Sequence, residues 1–260
     1  MLKGKNAIVT GSTSGIGLAI AHSLAAQGCN ILLNGFGDKA AIDALVKELQ
    51  QKYSIQADYS PADMSKPRDI ADMVSMCERI FGRTDILVNN AGIQFTSPID
   101  QFPEDKWDAI IAINLSAAFH ATKAALAGMK KRNFGRIINI ASVHGLVGSS
   151  NKSAYVAAKH GIVGFTKVTA LENGEANITC NAICPGWVHT PLVQKQIDDK
   201  AKAENITPEE ATNRMLGEKQ PNKRFIKPES IGAMIAFLCD EHGDSMTGEI
   251  ITMDGGWTAH

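Results

Sequence analysis

An α/β fold, a parallel sheet covered by helices on both faces, is what the sequence predicts. Three observations carry that expectation. Apolar runs of strand length alternate with helical stretches from the first residues onward. Runs such as Ile86-Leu87-Val88 are apolar on both faces, as strands sandwiched between helix layers must be. The first such run opens into a glycine-rich turn and then a helix.

In chain order, Asn6–Thr10 reads as a strand and Ser14–Gln27 as a helix stopped by Gly28. Asn30–Leu33 is the next strand, and Asp38 is placed to cap a helix running to about Lys52. A strand at Ile55–Tyr59 precedes a helix over Pro67–Phe81 that ends at Gly82. Asp85–Asn89 is a strand, Pro103–Arg132 a long helical region, and Arg136–Ile140 a strand. A helix over Ser153–Glu172, a strand over Ile178–Cys184, a helix over Pro228–Cys239 and a strand over Glu249–Thr252 complete the pattern. One stretch departs from it. Thr190–Gln220 is polar and helical, and Thr207-Pro208-Glu209-Glu210 has the form of a capped helix start with Glu210 set for a capping box. A helical pair inserted after a strand's carboxyl end is either a surface decoration or a lid over the place where open α/β sheets bind ligands. No linker or repeat divides residues 1–260, so one domain is expected.

The bulk properties bound the function. Apolar residues make up 44% and charged ones 20%, as in an ordinary globular protein, and the net charge is −1. No basic patch dominates, so nucleic acid and anionic membrane are not expected partners. No signal core and no uninterrupted apolar run of bilayer length is evident. The five cysteines have no disulfide-framework spacing, and a reducing, cytoplasmic setting is the expectation. Cys180 and Cys184 lack a second cluster and read as small buried strand residues, so no metal is expected.

The turn Thr10-Gly11-Ser12-Thr13-Ser14-Gly15-Ile16-Gly17 has what a dinucleotide pyrophosphate requires: glycines that admit close backbone approach, and a helix N-terminus with free N–H groups. The second strand ends Leu33-Asn34-Gly35-Phe36, without the carboxylate that usually holds the adenosine ribose. Arg and Lys are equally absent there and from Ser12-Thr13-Ser14, so a 2′-phosphate would lack a cationic partner and NAD is favoured over NADP. Asp63 could meet the adenine amino group or be a solvated turn residue.

Tyr155 and Lys159, four apart on a helix, project from one face. Ser142 ends the preceding strand, and Asn114 lies on the earlier long helix. Such a set suits hydride chemistry at a carbinol carbon, where a proton must move at the oxygen. A phenol near pKa ~10 is a poor base at neutral pH; lowering it by about three units takes roughly 4 kcal/mol of electrostatic help. Lys159 could supply part of that, Ser142 could steady the developing alkoxide, and Asn114 could hold a water that relays protons. His144 and Lys152 lie close in sequence to Ser142 and Tyr155, and a cation beside such a centre is best explained by an anionic substrate. Gln94 can donate amide hydrogens; each of these three also has an ordinary loop reading, as Trp187 and Trp257 have a packing one.

These segments together resemble the short-chain dehydrogenase/reductase family over nearly the whole chain. The match rests on Thr10-Gly11…Gly15…Gly17, Asn89-Asn90-Ala91-Gly92, the set Asn114, Ser142, Tyr155 and Lys159, Pro185-Gly186, and Asp254-Gly255-Gly256. The resemblance implies a doubly wound, Rossmann-type sheet of about seven strands, a homotetramer, and Asn114, Ser142, Tyr155 and Lys159 as catalytic residues. It implies cofactor contacts from Gly11, Thr13, Ser14, Gly15, Ile16, Gly17, Phe36, Asp63, Met64, Asn90, Ala91, Gly92, Tyr155, Lys159, Pro185, Gly186, Trp187 and Val188. NNAGIQ, IASVHGLVGSSNKSAYVAAKHG, ICPGWVHTPLVQKQI and DGGWTAH are similar to the family's bacterial branch that acts on D-3-hydroxybutyrate. By that similarity Gln94, His144, Lys152 and Gln196 would hold the carboxylate of a small hydroxy or keto acid, with Ser142 and Tyr155 at its reacting oxygen and Trp187 and Trp257 as walls. A 3-oxoacyl-thioester or polyol reductase, and a protein that binds NAD without turnover, are the alternative readings.

Overall fold

Apolar residues at alternate positions decide the layers. The computed structural model describes residues 2–259, apart from the side chain of Leu192. Its strands are β1 (Asn6–Val9), β2 (Asn30–Asn34), β3 (Ala57–Ser60), β4 (Ile86–Asn89), β5 (Gly135–Ile140), β6 (Ile178–Pro185) and β7 (Ile250–Met253). They form one parallel sheet in the order β3-β2-β1-β4-β5-β6-β7. Ile8, Leu32, Leu87 and Ile137 face one side and Val9, Leu33, Val88 and Ile138 the other, all fully buried. Each such side chain stabilises the fold by about 1.5–3 kcal/mol on burial.

Helices cover both faces. α1 (Gly15–Ala26), α2 (Lys39–Tyr53) and α9 (Pro228–Cys239) lie on one side, where Ile20, Leu24, Leu49, Ile231 and Ile235 join the core. On the other side are α3 (Pro67–Phe81), α4 (Glu104–Ile111) running on into α5 (Ala117–Arg132), and α6 (Ser153–Leu171). Met73, Val74 and Cys77 meet Ala121, Ala125 and Met129 over the sheet. The remaining helices, α7 (Pro191–Glu204) and α8 (Pro208–Lys219), are the inserted pair.

Several boundaries differ from expectation, each for a local reason. The third strand begins at Ala57 rather than Ile55, because Ser54 ends α2 in a left-handed conformation (φ 53°) and the next two residues carry the chain back to the sheet. The 103–132 region is one continuous helix that widens into a π turn at Ala112–Ser116 around Asn114. The 29-residue helix Glu104–Arg132 is long and apolar enough, by composition, to cross a bilayer, although Asn114, His120 and Lys123 interrupt its apolar run; here its small-residue face, Ala117, Ala121 and Ala125, packs on the sheet. Thr207 caps α8 by accepting from the Glu210 N–H at 3.1 Å, but the capping box is not closed. Glu210 pairs instead with Arg214 one turn on, at 2.8 Å.

The sheet order reverses between β1 and β4, so the chain leaves these two strands in opposite directions and opens a crevice beyond their carboxyl ends. The crevice floor is stitched across that gap. The Thr10 hydroxyl accepts from the N–H groups of Asn90 (2.9 Å) and Ala91 (3.0 Å). The Asn90 amide donates to the carbonyls of Thr10 (2.8 Å) and Gly11 (3.0 Å). Gly17 lets the first turn of α1 lie on this junction; a Cβ there would collide with the Gly11 carbonyl and the Asn90 amide. Gly17→Ala is expected to lower unfolding free energy by about 1–3 kcal/mol, read from urea denaturation, because the overlap can be relieved only by moving backbone.

Candidate active site

Two adjoining cavities occupy the crevice. The larger, about 400 Å³, is lined by Gly11, Thr13, Ser14, Gly15, Ile16, Gly17, Phe36, Asp63, Met64, Asn90, Ala91 and Gly92. The second, about 200 Å³, is lined by Gln94, Ser142, His144, Lys152, Tyr155, Lys159, Pro185, Gly186, Trp187, Val188, Gln196 and Trp257. Ile16, Asn90, Gly92, Ile93 and Thr190 border both, so the two read as one elongated cleft. Every expected cofactor and substrate residue lines it.

The larger cavity fits the adenosine and pyrophosphate part of a dinucleotide. α1 begins after Ser14 with no side-chain cap and no acidic residue in its first turn, which leaves its leading N–H groups and their partial positive charge turned to the cleft. Asn34, at the β2 end, is buried and turned inward. Its side chain accepts from Gly11 N–H (3.3 Å) and donates to the carbonyls of Ser60 (3.2 Å) and Ala62 (2.9 Å). It therefore shapes the glycine turn, a role that an Asn on a polar strand end did not disclose in the sequence. Phe36 stands 72% exposed at the rim. The Asp63 carboxylate is held below the usual range by hydrogen bonds from the Ser65 N–H and hydroxyl, and it also meets Lys66 at 3.4 Å. Among the described residues lining this cavity, none is Arg or Lys.

The smaller cavity holds the reaction centre. β5 ends at Ile140 and delivers Ser142, whose hydroxyl accepts from the His144 N–H at 3.2 Å. The first turns of α6 supply Tyr155 and Lys159 from one face. Lys159 is buried, donates to the Ile140 carbonyl at 2.7 Å, and lies 5.6 Å from the centre of the Tyr155 ring. Burial pushes the Lys159 ammonium down to about 8. Burial pushes the Tyr155 phenol up, while a hydrogen bond with Ser142 pulls it down. Among the protein's own groups desolvation dominates in the ligand-free cleft, and the Lys159 ammonium is tied to the strand end. Asn114 has a structural role that the sequence did not disclose. Its side chain accepts from the Ile93 N–H (2.8 Å) and donates to the Ile93 carbonyl (2.9 Å), so it anchors the loop after Gly92. A separate void of about 10 Å³, room for the centre of one water, lies among Asn114, Ile140 and Lys159.

Around that centre the polar groups converge from four segments. Lys152, just before α6, places Nζ 3.4 Å from His144 Nε2 and 5.6 Å from the Trp187 ring. The His144 ring stands edge-on to Tyr155 (6.2 Å) and to Trp257 (5.4 Å), and Trp257 lies 6.2 Å from Trp187. Gln196 comes from α7 and Gln94 from the loop after β4. The inserted helices carry their own small core of Val193, Ile197, Ala201, Ala211 and Met215. Their entry and exit lie side by side, bridged by Val188 and Ile226, with the Ile226 N–H donating to the Trp187 carbonyl at 2.9 Å. Gln220, at the end of α8, was read only as the end of the insertion; it is fully buried against the Gly186-Trp187 turn.

A cleft at the switch point, with serine, tyrosine and lysine gathered at one end and an uncapped helix start at the other, defines a short-chain dehydrogenase/reductase. The chain belongs to that family: residues 11–258 match its model described as enoyl-(acyl carrier protein) reductase. It is an oxidoreductase similar to D-beta-hydroxybutyrate dehydrogenase of Cupriavidus necator, at 57% identity over 100% of both chains. The protein of that name from Rhizobium meliloti is 52% identical over 98% of this chain and 99% of its own. Among solved structures, L-sorbose reductase from Gluconobacter frateurii, complexed with NADPH and L-sorbose, has a TM-score of 0.94 at 30% identity, covering 100% of this chain and 98% of that one.

Burial, with the nearby Lys152 charge, pushes His144 down to about 4 from its usual 6.5. The unfolded chain then binds more protons than the folded one between these values, so this group costs stability as pH falls from about 6.5 towards 4, by roughly 3 kcal/mol at most. His144→Asn is expected to flatten the loss of stability over that window, read as urea unfolding free energy against pH.

Proposed function

We propose that this protein interconverts D-3-hydroxybutyrate and acetoacetate with NAD, working as a homotetramer in the cytoplasm. The observation that carries the substrate is the approach of Lys152 to a neutral His144 within a cavity that also holds Tyr155 and Ser142. Two cation-forming groups brought together and largely desolvated are unfavourable with nothing between them, and a small carboxylate would relieve that. Gln94 and Gln196 can donate to the same anion, while Trp187 and Trp257 leave little room beyond a short chain. The relatives named D-beta-hydroxybutyrate dehydrogenase support this substrate.

When bound, oxidised NAD supplies the hydride acceptor and a positive charge. The leading N–H groups of α1 would hold its pyrophosphate and the Pro185–Val188 turn its nicotinamide end. The lack of Arg and Lys around the larger cavity supports NAD over NADP, although the L-sorbose reductase neighbour carries NADPH. In the oxidation, Tyr155 as phenolate accepts the hydroxyl proton of the substrate, and Ser142 donates a hydrogen bond to the same oxygen. In the reverse direction Tyr155 returns that proton. Lys159, fixed to Ile140, keeps a positive charge beneath the phenol, and the inserted helices exclude water above it. Five unpaired, buried thiols suit a reducing compartment. Exposed Phe119 on α5, with Val168 and Leu171 on α6, supply apolar area for subunit contact.

Steady-state assays test the proposal. Turnover of D-3-hydroxybutyrate with NAD is expected, with at least tenfold lower efficiency for NADP and for the L-isomer, about 1.4 kcal/mol of discrimination or more. Activity confined to 3-oxoacyl thioesters would end the hydroxybutyrate reading. Tyr155→Phe is expected to lower kcat by roughly 10²–10⁴-fold while NAD binding, measured by calorimetry, persists.

A further inference from the structure

We infer that Gln220 is a positioning residue that sets the substrate-facing wall of the cleft by tying the end of the inserted helices to Trp187; this rests on the hydroxybutyrate reading above. Glutamine is seldom fully buried, yet Gln220 has no exposed surface. Its side-chain oxygen accepts from the Trp187 N–H at 2.5 Å, and its side-chain nitrogen donates to the Arg224 carbonyl at 2.6 Å. Among the described residues neither the Trp187 N–H nor the Arg224 carbonyl makes another hydrogen bond. The first fixes the residue whose indole lies beside Lys152 and Trp257. The second fixes the returning segment just before Ile226, whose N–H closes on the Trp187 carbonyl.

The same place joins a third segment. The Asn222 N–H donates to the Gly255 carbonyl at 3.2 Å, and Asp254 accepts from the Thr258 N–H at 2.8 Å, which folds the chain so that Trp257 faces His144. Gly186 fits the arrangement closely, since a Cβ there would lie 2.7 Å from the Gln220 oxygen. One amide thus ties the turn beside the nicotinamide end to the exit of the inserted helices and fixes the Trp187 wall, while Asn222, two residues on, meets the segment that carries Trp257. A short acid has few atoms to grip, so a wall displaced by an ångström removes much of what orients it.

Gln220→Met keeps the bulk and removes both bonds. Its KM for D-3-hydroxybutyrate is expected to rise roughly tenfold or more, with KM for NAD within about threefold of the parent. In hydrogen exchange of the protein without ligands, the segment 185–190 should lose protection while the sheet strands keep theirs. Gln220→Glu supplies rescue: burial raises a carboxyl pKa, and the protonated acid offers one donor and one acceptor as the amide does. Its KM should approach the parent's at the same acidic pH and depart from it as pH rises. Arg214→Ala, which cuts only solvent-accessible ion pairs, one to Glu204 of α7 and one within α8 to Glu210, should keep the parent KM. Parent-like KM and parent-like protection in Gln220→Met would overturn the assignment, as would an equal KM rise in Arg214→Ala. If the parent does not turn over D-3-hydroxybutyrate the substrate reading falls, and the exchange of residues 185–190 then decides the positioning role alone.

Discussion

The hydroxyl of Thr10 is the point on which the site depends. Two strands adjacent in the sheet part company here, and their continuations would splay without a tie. By accepting from two successive N–H groups of the β4 continuation, Thr10 closes the gap from one side. Asn90, donating back to two carbonyls of the β1 continuation, closes it from the other. Reciprocal bonds of this kind satisfy four backbone groups that the crevice would otherwise leave unpaired. They also fix the two walls relative to each other, so the glycine turn and the loop carrying Gln94 form one rigid rim.

The chemistry at the other end is built on desolvation. Burial weakens the basicity of Lys159 and His144 and the acidity of Tyr155 together, which leaves the ligand-free cleft closer to neutral than its residue content suggests. Such a site is poised to respond to charge that arrives from outside. An anion beside Lys152 favours protonated His144, and a positive ring near Tyr155 favours phenolate. The electrostatic asymmetry needed for proton transfer is thus completed by the ligands and only prepared by the protein.

Much of this was legible in the sequence. Strand and helix order followed from alternating apolar runs, and caps such as Asp38 and Thr207 placed helix starts because a short polar side chain before a helix has few other uses. The lining residues followed partly from motifs such as the glycine turn and the Tyr155/Lys159 pair, and partly from resemblance to the family. What escaped were roles decided by tertiary partners. The Asn114 side chain met the Ile93 backbone, Asn34 turned inward, and Gln220 was buried, none of which a local pattern encodes. The desolvation of Tyr155 in the ligand-free cleft escaped for the same reason: sequence gives neighbours, whereas desolvation depends on everything packed around the ring.

The bridge between Val188 and Ile226 brings the two ends of the inserted helices together at a single doorway. A segment that leaves and re-enters a framework at one doorway can be lengthened, shortened or exchanged without altering how the framework is threaded. Descendants of such an ancestor are free to change what they accept by rebuilding this annex, while the older proton-handling machinery below is inherited intact. Diversity of substrates on one scaffold then needs no new catalysis, only a different roof.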